Sequence, residues 1–169
     1  LALLDLLAAL APDLGLDLVV AHADHGIHPA SAQVAERVRT AAAARYGLAT
    51  TVGELALGPD ASETKARTAR YRFLRAVQGG SGARYLLTAH HADDQIETVL
   101  MRLLRGSAPA GLAGIPARGA HGLVRPLLPF RRAELRAAAL ARGLAPCDDP
   151  ANADPRHTRS WLRTTLVPA

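Results

Sequence analysis

The chain has one cysteine, Cys147, among its 169 residues. A single thiol permits no internal disulfide and no CxxC site for zinc, an iron–sulfur cluster or sulfur transfer. Lysine is equally scarce: Lys65 stands alone, so the net charge of +5 rests almost wholly on arginine. Alanine is abundant beside it, and the pattern resembles a genome-wide compositional bias as much as a phosphate-binding patch, so charge alone leaves nucleic-acid binding undecided. The basic surplus is unevenly placed, with 3 basic and 7 acidic residues in 1–60 against 17 and 8 in 61–169. Long apolar runs are also missing. Leu1 to Pro12 is interrupted by Asp5 and falls short of the roughly 20 residues a bilayer span requires. It lacks the basic start and small-residue cleavage site of a signal peptide. The expectation is a cytoplasmic protein without a membrane segment. No internal repeat or low-complexity linker is present, and 49% hydrophobic with 21% charged residues suits one domain with a buried core.

Leu1 to Leu10 has helical spacing but no N-cap, as though the chain were entered within an element. Leu18 to His22 is a short apolar run that reads as a buried strand. Ser31 can cap a helix to about Tyr46 with Gly47 as its stop, and Leu48 to Val52 reads as a second strand. A helix from Ser62 through Val77 is ended by Gly79-Gly80, and Arg84 to Thr88 supplies a third strand. A helix from about Asp93 to Arg105 stops at Gly106, and the Gly/Pro-rich stretch from Gly106 to Gly122 is a loop inside the domain. Strand-like Leu123 to Leu127, a helix from about Arg132 to Arg142 and a short one from Thr158 to Leu166 complete the series. Such alternation predicts an α/β domain with a doubly wound, mainly parallel, Rossmann-like sheet. Ligands of that architecture gather at the carboxyl ends of the strands.

Three constellations lie there. In His22-Ala-Asp24-His25-Gly26, period-two alternation puts His22 and Asp24 on one face; a plain turn made by Asp24 and Gly26 explains the same residues. In Thr88-Ala-His90-His91-Ala-Asp93-Asp94-Gln-Ile-Glu97-Thr, Asp94 and Glu97 share a helical face at i,i+3, while Ile96, Val99, Leu100 and Leu103 form the expected buried stripe. Acids at a helix N-terminus ordinarily serve its dipole, and that reading suffices for Asp93. It does not account for adjacent histidines at a strand exit, which points to His90, Asp94 and Glu97 as a site. In Glu63-Thr-Lys65-Ala-Arg67-Thr-Ala-Arg70-Tyr71, Ala66, Ala69, Phe73 and Val77 should face inward and leave Arg67 and Arg70 on the flank. That is either a solvated face or a clamp for phosphate.

Together these segments resemble the tRNA(Ile)-lysidine synthetase branch of the N-type ATP pyrophosphatases, whose fold is adenine nucleotide alpha hydrolase-like. Leu103-Leu-Arg105-Gly106, Gly111-Leu-Ala-Gly-Ile-Pro116, Arg125-Pro-Leu-Leu128, Asp149-Pro-Ala-Asn152-Ala-Asp154 and Arg159-Ser-Trp-Leu-Arg163 extend the likeness along nearly the whole chain. The resemblance implies ligation of lysine to C2 of the wobble cytidine of tRNA(Ile), with ATP as co-substrate, Mg²⁺, and an adenylated base between the steps. It implies His22, Asp24, Arg67 and His90 for the nucleotide, Asp94 and Glu97 for free lysine, and Arg67, His90 and Asp94 as catalytic. Arg70, Arg105, Arg159 and Arg163 would contact a tRNA with a CAU anticodon; a homodimer is left open, and no resident metal is assigned. The family's SGGxDS phosphate loop does not occur in residues 1–169, so the expectation is a catalytic domain truncated at that loop and inactive alone. His28 and Ser160 depart from the arginine and asparagine usual at those places. Two rival readings remain: a metal-dependent phosphoesterase using His22, Asp24, His90, His91 and Asp94, and a catalytically dead tRNA-binding module.

Overall fold

A computed structural model describes residues 1–27, 31–58, 61–144 and 161–162. The chain divides into two compact units, Leu3–Leu86 with Leu1 and Leu87–Ala169 with Ala2.

In the first unit, β1 (Val20–Asp24) and β2 (Thr50–Glu54) pair in parallel, Val20 opposite Thr50 and Asp24 opposite Glu54. Parallel partners need a crossover, and α2 (Ser31–Tyr46) supplies it, followed by Gly47 at φ 65°. Both strands begin two residues later than their apolar runs predict, and Val19 is exposed. The runs mark where the chain becomes apolar, whereas the hydrogen-bonded register decides where it becomes a strand. The shift places His22 and Asp24 inside β1.

The helix α1 (Ala2–Leu14) outruns the predicted Leu10, accommodates Pro12, and ends at Gly15 with φ 59°. Asp5 is 2% exposed; its Oδ1 accepts from Tyr46 Oη at 2.6 Å and Arg45 Nε at 3.1 Å. The acid that interrupts the apolar stretch is therefore the tie between α1 and the end of α2. Ser62 caps α3 (Glu63–Ser81) through the Lys65 amide. The helix runs through Gly79-Gly80, where it was expected to stop. Glycine costs a helix only about 1 kcal/mol, and the stop falls at Gly82, the residue with left-handed φ of 68°. A Cβ on Gly53 would overlap the Phe73 ring, so the bare backbone of β2 is what lets α3 lie against it.

In the second unit, β3 (Leu86–Leu87) pairs with β4 (Leu123–Val124), and the Thr88 amide extends the pairing by donating to Val124 O at 3.1 Å. Both are shorter than predicted. Pro126 has no N–H for a ladder, and the chain turns there, with the Leu128 amide on Arg125 O. Alternation still survives in burial: Leu123, Arg125 and Leu127 all face inward. Two helices complete the unit, α4 (Ala92–Leu104) and α5 (Arg132–Ala141), with a 3-10 turn over Pro109–Leu112 inside the predicted loop.

The expected buried stripe of α4 is corrected. Leu103 is 57% exposed, whereas Glu97 and Met101, at i,i+4, are the buried positions. Polar clamps set the helix's rotation. Gln95 donates to Ile115 O at 2.8 Å and accepts from the Ile115 amide, and Arg102 donates to Gly111 O at 2.9 Å. Arg125, itself buried, donates to Pro116 O at 2.6 Å. The segment Gly111–Pro116 is thus held from both sides through its backbone. The predicted helix from Thr158 to Leu166 lies outside the described residues apart from 161–162. The described strands form an α/β arrangement with a parallel pair, in the class the sequence predicts. No helix among the described residues is long and apolar enough to cross a membrane.

Candidate functional site

The first unit gathers His22, Asp24, His25 and Arg70. Asp24 Oδ1 accepts the Gly26 amide at 2.9 Å, and Gly26 adopts φ 63°, so the carboxylate does form the turn that the bland reading proposed. The turn fixes the end of β1: the Leu55 amide donates to Asp24 O and the Leu57 amide to His25 O. Burial pushes the His22 imidazole below its usual range against the opposing pull of Asp24. Burial likewise lowers His25, reinforced by the positive charges of Arg70 and His22 and opposed by Asp24. Near pH 7 both rings are neutral, each with one donor and one acceptor nitrogen.

On α3 the Arg67 and Arg70 guanidinium carbons lie 4.9 and 5.8 Å from the centre of the Tyr71 ring. Both arginines are half-buried, each within cation–π reach of that ring. Tyr71 Oη and His25 Nδ1 are buried without a hydrogen-bond partner among the described residues. Buried polar atoms are rarely left so, and a ligand can satisfy them. Sequence reasoning assigned neither.

The second unit gathers Thr88, His90, His91, Asp93 and Asp94. Thr88 Oγ1 lies 2.9 Å from His90 Nδ1. The His91 amide donates to Asp94 Oδ2 at 2.9 Å, closing the first turn of α4. The His91 ring nitrogen Nδ1 stands 3.6 Å from both Asp93 and Asp94, too far for a hydrogen bond. Glu97 follows Asp94 by one turn and is 4% exposed, and neither carboxylate is without a partner. Arg105 caps the far end of α4 and is exposed. Eleven residues separate it from Asp94, roughly 16 Å along a helix axis, so it does not join this group. Arg159 and Arg163 lie outside the described residues.

Asp93 has the structural role read for it. Its carboxylate accepts from the Arg132 amide at 2.7 Å and Arg131 Nε at 3.1 Å, satisfying a first-turn donor of α5 from the first turn of α4. Burial raises its pKa, but the Arg132 amide, Arg131 and His91 outweigh that and hold it below the usual range. A depressed carboxylate stabilises the fold above its unfolded pKa of about 3.9, and that stability is lost as pH falls through the lower folded value. Asp93→Ala should cost about 1–2 kcal/mol in denaturant unfolding at pH 7, with the difference from wild type shrinking in acid. An equal cost at pH 2 and pH 7 would show that the carboxylate's charge contributes nothing.

Among the described residues no group of three or more His, Cys, Asp or Glu is placed to hold a metal ion, and the phosphoesterase reading gains no metal centre from them.

The parallel pair and its crossover helix are those of a Rossmann-like α/β domain. Residues 1–169 match the PP-loop domain family over the whole chain, and the chain belongs to that family. The tRNA(Ile)-lysidine synthase of Salinispora tropica is 45% identical over 100% of this chain and 52% of its own length. That of Alkalilimnicola ehrlichii is 46% identical over 98% of this chain and 38% of its own. That of Geobacter sulfurreducens is 43% identical over 99% and 37%. The chain spans about half or less of the length of these relatives. Among solved structures it is similar to the U34-tRNA thiolase NcsA from Methanococcus maripaludis with its [4Fe-4S] cluster. The TM-score is 0.64, with 90% of this chain and 58% of that chain covered at 18% identity, a likeness of fold.

Proposed function

We propose that this domain serves the ATP-dependent ligation of lysine to C2 of the wobble cytidine of a tRNA(Ile) with a CAU anticodon. The C2 oxygen of the base attacks the α-phosphorus of ATP, and pyrophosphate leaves. The lysine amine then attacks C2 and displaces AMP, leaving lysidine. The observation that carries this reading is the paired carboxylate, Asp94 and Glu97, on one helix of a chain 40–46% identical to tRNA(Ile)-lysidine synthases. A cationic amine that sheds water needs compensating negative charge, and a buried Glu97 one turn from Asp94 provides it.

The remaining roles are those that the family resemblance implies. Arg67 and Arg70, each within reach of one ring, offer planar donors to phosphate, and Arg70 with Arg105, Arg159 and Arg163 is assigned to the tRNA. His22, Asp24 and His90 are assigned to the nucleotide, and Arg67, His90 and Asp94 to the reacting groups. Mg²⁺ suits this chemistry because it takes one or two carboxylates plus substrate phosphates and keeps several waters. Among the described residues no three such ligands gather, which fits a phosphate-borne ion better than an all-protein cage. Bound there, it would neutralise phosphate charge.

The test supplies the full-length protein with ATP, labelled lysine and a CAU-anticodon tRNA. Lysine should enter the tRNA with equimolar release of AMP and pyrophosphate, and neither product should form without the tRNA. ATP consumption that modifies the tRNA without incorporating lysine would overturn the assignment.

A further inference from the structure

The chain around His90 is fixed on both sides. Two residues before it, the Thr88 amide is held by Val124 O at 3.1 Å; two residues after it, the Ala92 amide is held by Phe130 O at 2.8 Å. The backbone on either side of His90 is thereby held, and rotation of the imidazole about χ2 is a broad torsion for histidine. Thr88 and His90, at i and i+2 on extended chain leaving β3, fall on one face. Ala89 between them is exposed, whereas Thr88 and His90 are half-buried. Thr88 Oγ1 and His90 Nδ1 meet at 2.9 Å, and β-branching restricts the threonine side chain.

We infer that Thr88 is a positioning residue that holds His90 as the Nε2–H tautomer. Resting on the proposed contact of His90 with the nucleotide, the direction of the bond follows from charge. An imidazole facing phosphate oxygens must present a donor. A donor at Nε2 of a neutral ring requires Nδ1 to accept, so the Thr88 hydroxyl donates. The hydroxyl is anchored by the β3–β4 pairing, so the sheet sets the ring's proton.

The test uses full-length protein labelled with ¹⁵N-histidine, with His90→Gln identifying the His90 signals, and ATP as the nucleotide probe. In wild type, Nδ1 should appear as acceptor and Nε2 as donor. Thr88→Val keeps the branch and the backbone amide but removes the hydroxyl. It should shift the His90 signals toward a mixture of tautomers and weaken ATP binding about fivefold, whereas Thr88→Ser restores both readouts. A protonated Nδ1 in wild type, signals unmoved in Thr88→Val, or a serine variant as impaired as valine would each overturn the inference. If Thr88→Val moves the signals while neither it nor His90→Ala alters ATP binding, control of the ring by Thr88 is supported, and the nucleotide role proposed for His90 fails on its own.

Discussion

Glu97→Gln should raise the lysine concentration needed for half-maximal ligation by more than about tenfold, and Asp94→Asn should act in the same direction. Both substitutions keep shape and remove charge. Truncating one partner of a buried charged pair typically costs about 2–5 kcal/mol, and 1.4 kcal/mol already corresponds to a factor of ten. Glu97 should show the larger effect, because it is the more deeply buried of the two, where water screens its charge least. Asp94 also accepts the His91 amide at 2.9 Å, a contact that the asparagine oxygen can keep. Steady-state kinetics in varied lysine, with tRNA adenylation followed separately, makes the measurement. Adenylation precedes attack by lysine and should suffer less. Variants that lose adenylation outright while retaining normal lysine dependence in their residual activity would reassign these carboxylates to the nucleotide.

The largest expected effect on stability lies at Asp5, far in sequence from every residue assigned to chemistry. Asp5→Ala should lower the unfolding free energy by about 2–4 kcal/mol, since it removes two charge-assisted hydrogen bonds, each contributing roughly 1.5–3 kcal/mol, and relieves some desolvation. Arg45, 40% exposed, can return to water, which keeps the loss below that of a fully stranded ion. Asp5→Asn should cost less, because a neutral oxygen can still accept from Tyr46. The phenol adds a pH signature. Burial first and the Asp5 contact second raise Tyr46 above its usual range. A group raised on folding stabilises fully below its unfolded pKa of about 10, and that stability disappears as pH climbs through the folded value. In chemical denaturation the stability difference between wild type and Tyr46→Phe should therefore shrink as pH rises above about 10. A constant difference between them, or an Asp5→Ala protein as stable as wild type, would remove the network from the account of the fold.

Periodicity revealed the elements and misplaced their ends. The helix α2 was legible to within a residue: Ser31, read as its cap, is its first residue, and Gly47 follows its end as expected. The strands β1 and β2 were legible as a pair but set two residues early, since pairing register is a property of two segments and the apolar run belongs to one. Gly79-Gly80 misled because two glycines resemble a stop, while the conformation that ends a helix belongs to Gly82. The face of α4 was misread for a related reason. Hydrophobicity assigns Leu103 to the interior, but Gln95 and Arg102 grip backbone carbonyls of a distant loop and rotate the helix so that Glu97 faces inward. At the candidate site, the imidazoles and carboxylates were visible in the motifs, and the contact of Thr88 with His90 was not. Thr88 stood inside the quoted motif, two residues from His90, and the i,i+2 spacing was the available signal.

The grip of Gln95 on Ile115 also bears on where this chain can change length. A carboxamide can present an N–H beside its C=O in one plane, the same pair that a neighbouring strand presents, and Gln95 uses both on a single residue. A side chain on a helix therefore supplies the rung that would otherwise come from a sheet. A residue inserted between Ala92 and Gln95 would rotate the amide by about 100° around the helix and advance it by about 1.5 Å, and the rung would be lost with the loop it secures. The exposed stretch from Ala108 to Ala110 lies just before the gripped segment, which begins at Gly111. Natural and engineered variants of this domain should accordingly differ in length there, while the count of residues from His91 to Gln95 stays fixed.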